Sequence, residues 1–380
     1  MMKGIRTLYF ICFLLLFFSC SSTKYVGEGE YLLDKVEIVS DGKTTYKTGD
    51  LKPYLRQQPN FKAFGLMKWQ LFVYDWSGRN EKRWINKQLR RMGEAPVILD
   101  TALVTQSVDE LKRFFLNKGY MNAEVSATID TSRSKRAVVT YAIVPNVPYR
   151  IHDYSMDLND PVIDSIARLK PPSRSMLASA FHTYSDDYTS LIKDSALFDR
   201  DVLDKERQRL TTLFRRRGYY AFNRDYLSYV ADSSLNRNSV DLNMLLKPYR
   251  LQKPDGTVVD TVHRRYYIKD VSIVTDYDPL TLEEAGAMPY DTVRTGGISV
   301  LSGKNGRSIR PGVLRKSNYI MPGRLYNERT VEQTYSSFAT LRALRNVNIR
   351  FSEVEENDTM KLNCTILTSP AKLQGFGVDL

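Results

Sequence analysis

Apolar and polar residues alternate in three short stretches of the same design: Lys35-Val36-Glu37-Ile38-Val39, Asp153-Tyr154-Ser155-Met156-Asp157 and Asp270-Val271-Ser272-Ile273-Val274. Such alternation marks a half-buried strand, because successive side chains leave opposite faces of the pleat. Val36, Tyr154 and Val271 are spaced by 118 and 117 residues, and a near-constant spacing of this kind points to a tandem repeat.

A helix recurs in the same rhythm. Its ends read Leu111-Lys112-Arg113-Phe114-Phe115-Leu116-Asn117-Lys118-Gly119-Tyr120, Leu210-Thr211-Thr212-Leu213-Phe214-Arg215-Arg216-Arg217-Gly218-Tyr219 and Phe338-Ala339-Thr340-Leu341-Arg342-Ala343-Leu344-Arg345-Asn346-Val347. Val104/Leu111/Phe114, Leu203/Leu210/Leu213 and Val331/Phe338/Leu341 sit at matching offsets that fall on one face of a 3.6-residue helix. Each helix is expected to end at Gly119, Gly218 or Asn346, residue types that tolerate a left-handed backbone, after cations suited to the negative end of the helix dipole. The triplet Arg215-Arg216-Arg217 thus has a local explanation and does not call for nucleic acid.

Two strands follow each helix: Ala123–Ile129 with Ala137–Val144, Asp225–Val230 with Val240–Leu246, and Val347–Val354 with Met360–Leu367. Polar turns separate each pair, and Pro145, Pro148, Pro248 and Pro370 stop the second strands, since proline cannot continue a ladder. The filling before each helix differs between copies. The first has Leu51–Gln58, an aromatic stretch Phe61–Trp76, a basic helix Glu81–Arg91 and Gly93–Asp100, with Ser107 and Asp109 expected to help start the main helix. In the second, Asp199 or Asp201 is the expected N-cap; in the third a Gly-rich stretch, Gly296–Gly312, leads to Asn327 as cap.

The start of the chain has its own signature. Lys3 and Arg6 precede eleven uncharged residues, Leu8 to Phe18, ending at Ser19-Cys20. A spanning helix needs about 20 apolar residues; a basic lead, a short apolar core and a small residue before the cut make a secretory signal peptide. The cysteine after Ser19 resembles a bacterial lipoprotein signal, which implies acylation of Cys20, although the position three before it is Phe17 instead of the usual Leu. Ser21, in place of Asp, then implies an outer-membrane anchor, with the soluble remainder tethered at the membrane surface.

The βααββ unit repeated behind such a signal resembles a polypeptide-transport-associated (POTRA) array. Gly93–Asp100, Leu203-Asp204-Lys205-Glu206-Arg207, the two Gly-Tyr helix ends and Arg324-Leu325-Tyr326-Asn327…Thr334…Phe338 resemble the periplasmic half of the BamA/TamA outer-membrane-protein assembly family, in particular its lipid-anchored (TamL-like) members. The fold class implied is α+β: three tandem POTRA-like βααββ domains after a lipoprotein signal peptide, with no complete β-barrel. The expected parts are a signal peptide 1–19, a lipidated tether 20–30, domains 31–147, 148–264 and 265–370, and the start of a truncated barrel strand at 371–380. The family's barrel, of about sixteen strands of roughly 9–11 residues, needs well over 150 residues, whereas ten follow Pro370.

The resemblance implies an outer-membrane, lipid-anchored, periplasm-facing protein with no catalysis. Its expected partners are unfolded outer-membrane proteins, an envelope-spanning partner protein and outer-membrane lipid through Cys20. A small sheet backed by helices leaves an edge of unpaired N–H and C=O groups to which an extended client can add. The expected edges are the strands after each helix, marked by Val125 and Ala127, Leu227 and Tyr229, and Ile349 and Phe351. A scaffold binding one fixed envelope partner is the alternative.

Composition excludes most other chemistry. The 380 residues carry 42% hydrophobic and 26% charged side chains, too rich in core for disorder. Three cysteines (Cys12, Cys20, Cys364) cannot frame a disulfide scaffold or a structural zinc site, and three histidines disfavour a His-dense metal centre; no cofactor is expected. Gly297…Gly303-Lys304-Asn305 has the wrong glycine spacing and lacks the magnesium-binding Ser/Thr of a phosphate loop. His182 near Ser185 and Asp186 lacks triad spacing; Asp186-Asp187 and Glu283-Glu284 read as solvated acids; and Cys364, alternating with Met360, Leu362 and Ile366, reads as a core thiol. The net charge of +12, with Lys3 and Arg6 in the leader, suits a surface near anionic head groups or a generally solvated basic face. Nucleic-acid binding is excluded by export.

Overall fold

The computed structural model describes residues 23–42, 45–63, 68–78, 80, 82–169, 188–234, 238–252, 255–277, 291–302 and 309–371. The signal peptide, Cys20, the phosphate-loop-like Gly303-Lys304-Asn305, His182, Ser185, the acid pairs and the expected barrel strand after Ala371 therefore lie outside the described residues. The chain divides into two compact units. One comprises Met1–Arg150 with Ser195–Asp201 and Leu235–Ser239; the other comprises Ile151–Asp194, Val202–Ser234 and Val240–Leu380.

In the first unit, β1 (Leu32–Ser40), β2 (Glu124–Asp130) and β3 (Arg136–Val144) form a sheet of order β1-β3-β2. β3 runs parallel to β1 and antiparallel to β2. Alternate β3 residues Ala137, Val139, Tyr141 and Ile143 are fully buried, as the period-two pattern requires. Over this face lies a helix, and before it come a single turn α1 (Thr48–Leu51) and two short helices, α2 (Trp69–Asp75) and α3 (Trp84–Met92). The main helix, α4 (Thr101–Asn117), buries Val104, Leu111, Phe114 and Phe115. Asp100 caps α4 by accepting from the Ala102 N–H at 2.8 Å. Ser107, expected near the helix start, is instead buried in mid-helix, where its Oγ donates to the Leu103 carbonyl and accepts from the Arg56 N–H; Asp109 lies there too. The true start is seven residues earlier because Asp100 offers a short acceptor at the point where the extended chain ends.

The Gly119 end behaves as its residues dictate. Gly119 takes φ +89°, its N–H meets the Leu116 carbonyl at 3.2 Å, and the Tyr120 N–H meets the Phe115 carbonyl at 2.9 Å. The Tyr120 and Phe115 rings then pack edge to face at 5.6 Å, completing the hydrogen-bonded, apolar-sealed helix stop that glycine permits.

The second unit holds two sheets. β4 (Arg150–Asp157), β5 (Leu227–Asp232) and β6 (Ser239–Leu246) give the order β4-β6-β5, with α5 (Pro161–Ala167) and α6 (Arg200–Arg215) alongside. The Asp199 side chain accepts from the Asp201 N–H at 2.9 Å at the start of α6. Leu210, Leu213, Phe214, Phe222 and Met244 make the core. Fully buried Glu206 is satisfied by two Arg209 bonds at 2.8 and 2.7 Å, the Ser190 hydroxyl and the Leu191 N–H. A ribbon absent from the sequence reading, β7 (Tyr249–Gln252) with β8 (Val258–Thr261), follows.

The last sheet is wider than the unit inferred from the sequence. Besides β9 (Tyr266–Val274), β12 (Leu344–Glu356) and β13 (Thr359–Pro370), it takes up β10 (Asp291–Thr295) and β11 (Ile298–Ser302) in the order β10-β11-β9-β13-β12. Two glycines, Gly296 (φ +57°) and Gly297 (φ +83°), make the tight turn of the added hairpin, the two-residue loop that needs positive φ at both positions. α7 (Pro311–Ser317) and α8 (Glu328–Ala339) cover the sheet, and Asn327 caps α8 by accepting from the Arg329 N–H at 3.0 Å. Asn346 is not a helix cap: α8 stops at Ala339, with Thr340 at φ −79°, and Asn346 pairs with Ser369 inside β12. No glycine follows this helix to hold a left-handed stop, so the chain turns out after Thr340 and extends directly. Cys364, 1% exposed, sits in this core, its thiol pushed up to about 12 by burial.

Two predictions follow from these contacts. Gly218 (φ +105°) closes α6, and a Cβ there would lie 2.7 Å from the Leu325 side chain. Gly218→Ala should therefore lower unfolding stability by about 1–2 kcal/mol from backbone strain, plus the displacement of Leu325, as read by urea titration. Asp75 is buried with neither carboxylate oxygen bonded to protein, and burial raises it from 3.8 to about 6 despite the charge of Lys24. Because the folded state holds this proton more tightly, stability is greatest below the unfolded value and falls as pH rises through 6. Asp75→Asn should raise the midpoint of thermal unfolding at neutral pH and show no gain near pH 3.8.

Candidate strand-addition site

All three strands expected to form edges are outermost: β2, β5 and β12 each end the order of their sheets. The six marker side chains belong in whole or in part to the cores. Val125 and Ala127 pack on the first core. Leu227 is buried, and the Tyr229 hydroxyl donates to the Leu203 carbonyl at 3.0 Å beneath α6. Ile349 and Phe351 pack on the last core. What these strands offer outward is main chain, with polar side chains such as Ser126, Thr128, Asn348 and Ser352 on the exposed face.

The edges differ in length. β2 has seven residues, β5 six and β12 thirteen. At about 3.3 Å per residue, β12 presents an edge on the order of 40 Å. It is paired along its whole inner side, from Leu344 against Pro370 to Glu356 against Thr359, so its position is fixed by the sheet whether or not anything adds to it. The acidic end of β12 is tied inward: the Tyr266 hydroxyl reaches Glu353 at 3.0 Å, Arg264 reaches Glu355 at 2.6 Å, and Lys269 and Lys361 both bind Glu356. Those two lysines hold the Glu356 carboxyl down at about 2, the bond from Lys269 contributing most.

The other half of the edge borders a groove of about 640 Å³ between β12 and α8. Val331 and Tyr335 of α8, Val347, Ile349 and Phe351 of β12, and Arg215 at the end of α6 line it. Arg215 pairs with Glu328 at 2.7 Å, and burial lifts the Glu328 carboxyl above its ordinary range although Arg215 opposes this. The floor is rigid. Tyr220 stacks against Tyr266, Tyr326 and Phe351 at centroid distances of 5.5, 5.1 and 5.5 Å, and the Gly218 carbonyl accepts from the Tyr266 N–H at 2.9 Å. In the sequence Val331 falls on the apolar stripe of this helix, but nothing there singles out Tyr335, which lies one turn on, beside the buried Thr334/Phe338 face. Among the described residues, no group of three His, Cys, Asp or Glu could hold a metal ion, and no helix is long and apolar enough to cross a membrane.

The family comparison decides what the first module is. Residues 31–146 match the POTRA family, described as a surface antigen variable number repeat. The first module is thus POTRA-like. Its order, β1, then helices ending in α4, then β2 and β3, keeps the strand, helical region, main helix, strand, strand sequence read above, and the chain as a whole is mixed α+β with POTRA-like domains in which, among the described residues, no sheet closes on itself. Solved structures resemble the chain at low identity. One is BamA POTRA domains 3–5 of Haemophilus influenzae (12% identity, 91% of this chain and 99% of that one, TM-score 0.38). Another is POTRA domains 1–3 of the periplasmic domain of Omp85 from Anabaena (12%, 90% and 97%, TM-score 0.24). A third is the N-terminal domain of Omp85 from Thermosynechococcus elongatus (11%, 90% and 98%, TM-score 0.23). No curated protein matches the chain.

Truncating Tyr335 to Ala should leave secondary structure and unfolding stability within about 0.5 kcal/mol, since the side chain is half exposed. Phe351→Ala, which empties the aromatic floor, should cost about 3 kcal/mol or more.

Proposed function

We propose that this chain is the periplasmic POTRA region of an outer-membrane protein assembly or translocation factor, and that it captures extended client segments by strand addition, chiefly along β12. The observation that carries this reading is the thirteen-residue outer strand beside a groove lined by apolar side chains. A client strand lying against β12 would gain main-chain hydrogen bonds, and every second side chain would turn toward Val331, Tyr335 and Ile349, so affinity would demand an alternating pattern but little defined sequence. Residues 31–147, 148–264 and 265–370 act as consecutive domains on this reading. Cys20 carries the lipid that holds them at the outer membrane, and the chain has no catalytic role.

The test is titration of a labelled peptide of alternating apolar and polar residues, followed by anisotropy. Ile349→Pro and Tyr335→Ala should each weaken binding tenfold or more without altering the circular dichroism. Unchanged affinity in both variants would overturn the β12 assignment. Co-purification of one stoichiometric protein, in place of many weak clients, would move the function to a fixed envelope scaffold.

A further inference from the structure

The helices α2 and α3 of the first unit are amphipathic in the wrong sense for a core. On α3, the buried residue is Asn86, whose side chain accepts from the Gly78 N–H at 2.9 Å and donates to the Asn80 carbonyl at 2.7 Å. At about 100° per residue, Trp84 lies nearly opposite and Ile85 and Met92 lie to one flank, 72%, 61% and 63% exposed. On α2, Leu71 and Asp75 are buried, while Trp69 and Trp76, two turns apart on another face, are 40% and 61% exposed. These are all three tryptophans of the chain. Exposed cations accompany them: Lys82, Arg83, Lys87 and Arg91. From Trp69 to Met92 there are six Lys/Arg against Asp75 and Glu81.

A protein interface would account for the apolar stripe but not for its setting. The chain emerges from its undescribed first 22 residues against this same hairpin. The Lys24 ammonium donates to the carbonyls of Asp75 and Ser77 at 2.9 and 3.0 Å, the Tyr25 hydroxyl binds the Ser77 carbonyl, and the Arg90 guanidinium lies over the Tyr25 and Tyr74 rings. Three residues separate Cys20 from Lys24, so the two Cα atoms are at most about 14 Å apart. A lipid on Cys20 would therefore enter its membrane within reach of Trp76.

We propose that the α2–α3 hairpin docks on an anionic phospholipid surface, with Trp69, Trp76, Trp84, Ile85 and Met92 at the headgroup–acyl boundary and the α3 cations against the phosphates. Tryptophan favours that boundary because its ring is apolar with one polar N–H, and a short helix with apolar and basic faces lies in its plane. The inference is independent of client capture at β12.

Because every tryptophan sits on the hairpin, intrinsic fluorescence reports the event directly. The chain from Ser21 onward keeps all described residues and lacks both the apolar leader and the acylation cysteine. On addition of vesicles containing phosphatidylglycerol, its emission should shift to the blue and be quenched by brominated acyl chains, with little response to pure phosphatidylcholine. Lys87→Gln and Arg91→Gln should each weaken binding roughly fivefold, the equivalent of about 1 kcal/mol per cation. The double variant Trp84→Ser with Ile85→Ser should abolish binding while the unfolding midpoint stays in place. An unshifted emission with either vesicle would overturn the proposal. So would equal weakening by Arg250→Gln on the β7–β8 ribbon, or a dimer in sedimentation that Trp84→Ser dissolves, which would assign the stripe to a second copy.

Discussion

The pairing of the first strand of a module with its last, β1 with β3 and β9 with β13, is the constraint from which the rest follows. Both pairs are parallel and join segments roughly a hundred residues apart, so neither can form until the helix between them has folded back across the sheet. Once the last strand is taken into the middle by this pairing, its hairpin neighbour has nowhere to go but outside. β2 and β12 are therefore edges by topology, irrespective of their own sequences. The exposed main chain of these strands is a product of how the module closes.

Much of this was legible because it depends on local rules. Alternation located the hairpin strands, and the glycines at 119 and 218 located helix ends that only a positive φ can make. Asn346 falls under no such rule: its residue type permits a left-handed turn, but the helix ends at Thr340 and the strand has already begun at Leu344. The β10–β11 hairpin is present in the letters as Val293-Arg294-Thr295-Gly296-Gly297-Ile298-Ser299-Val300, two alternating runs about a Gly-Gly turn, which the description of Gly296–Gly312 as a Gly-rich stretch passes over. The β7–β8 ribbon gives a weaker signal, because its strands are four residues each and exposed.

The candidate sites were less legible than the fold for a physical reason. Periodicity says that a helix has two faces but not which one is turned inward. Glu81–Arg91 reads as an ordinary basic helix, and only coordinates reveal that Asn86 is inside and Trp84 outside. Likewise the β12 groove is formed by Tyr335 from one element and Ile349 from another; no spacing along the chain encodes that meeting.

The β10–β11 hairpin has a bearing on how the last sheet can meet another copy of itself. By occupying the far side of β9, it leaves that flank ending in a strand of five residues, whereas the opposite flank runs for thirteen. The longest seam that two copies of this sheet could share therefore runs between two thirteen-residue flanks about a two-fold axis, an arrangement that closes at a pair.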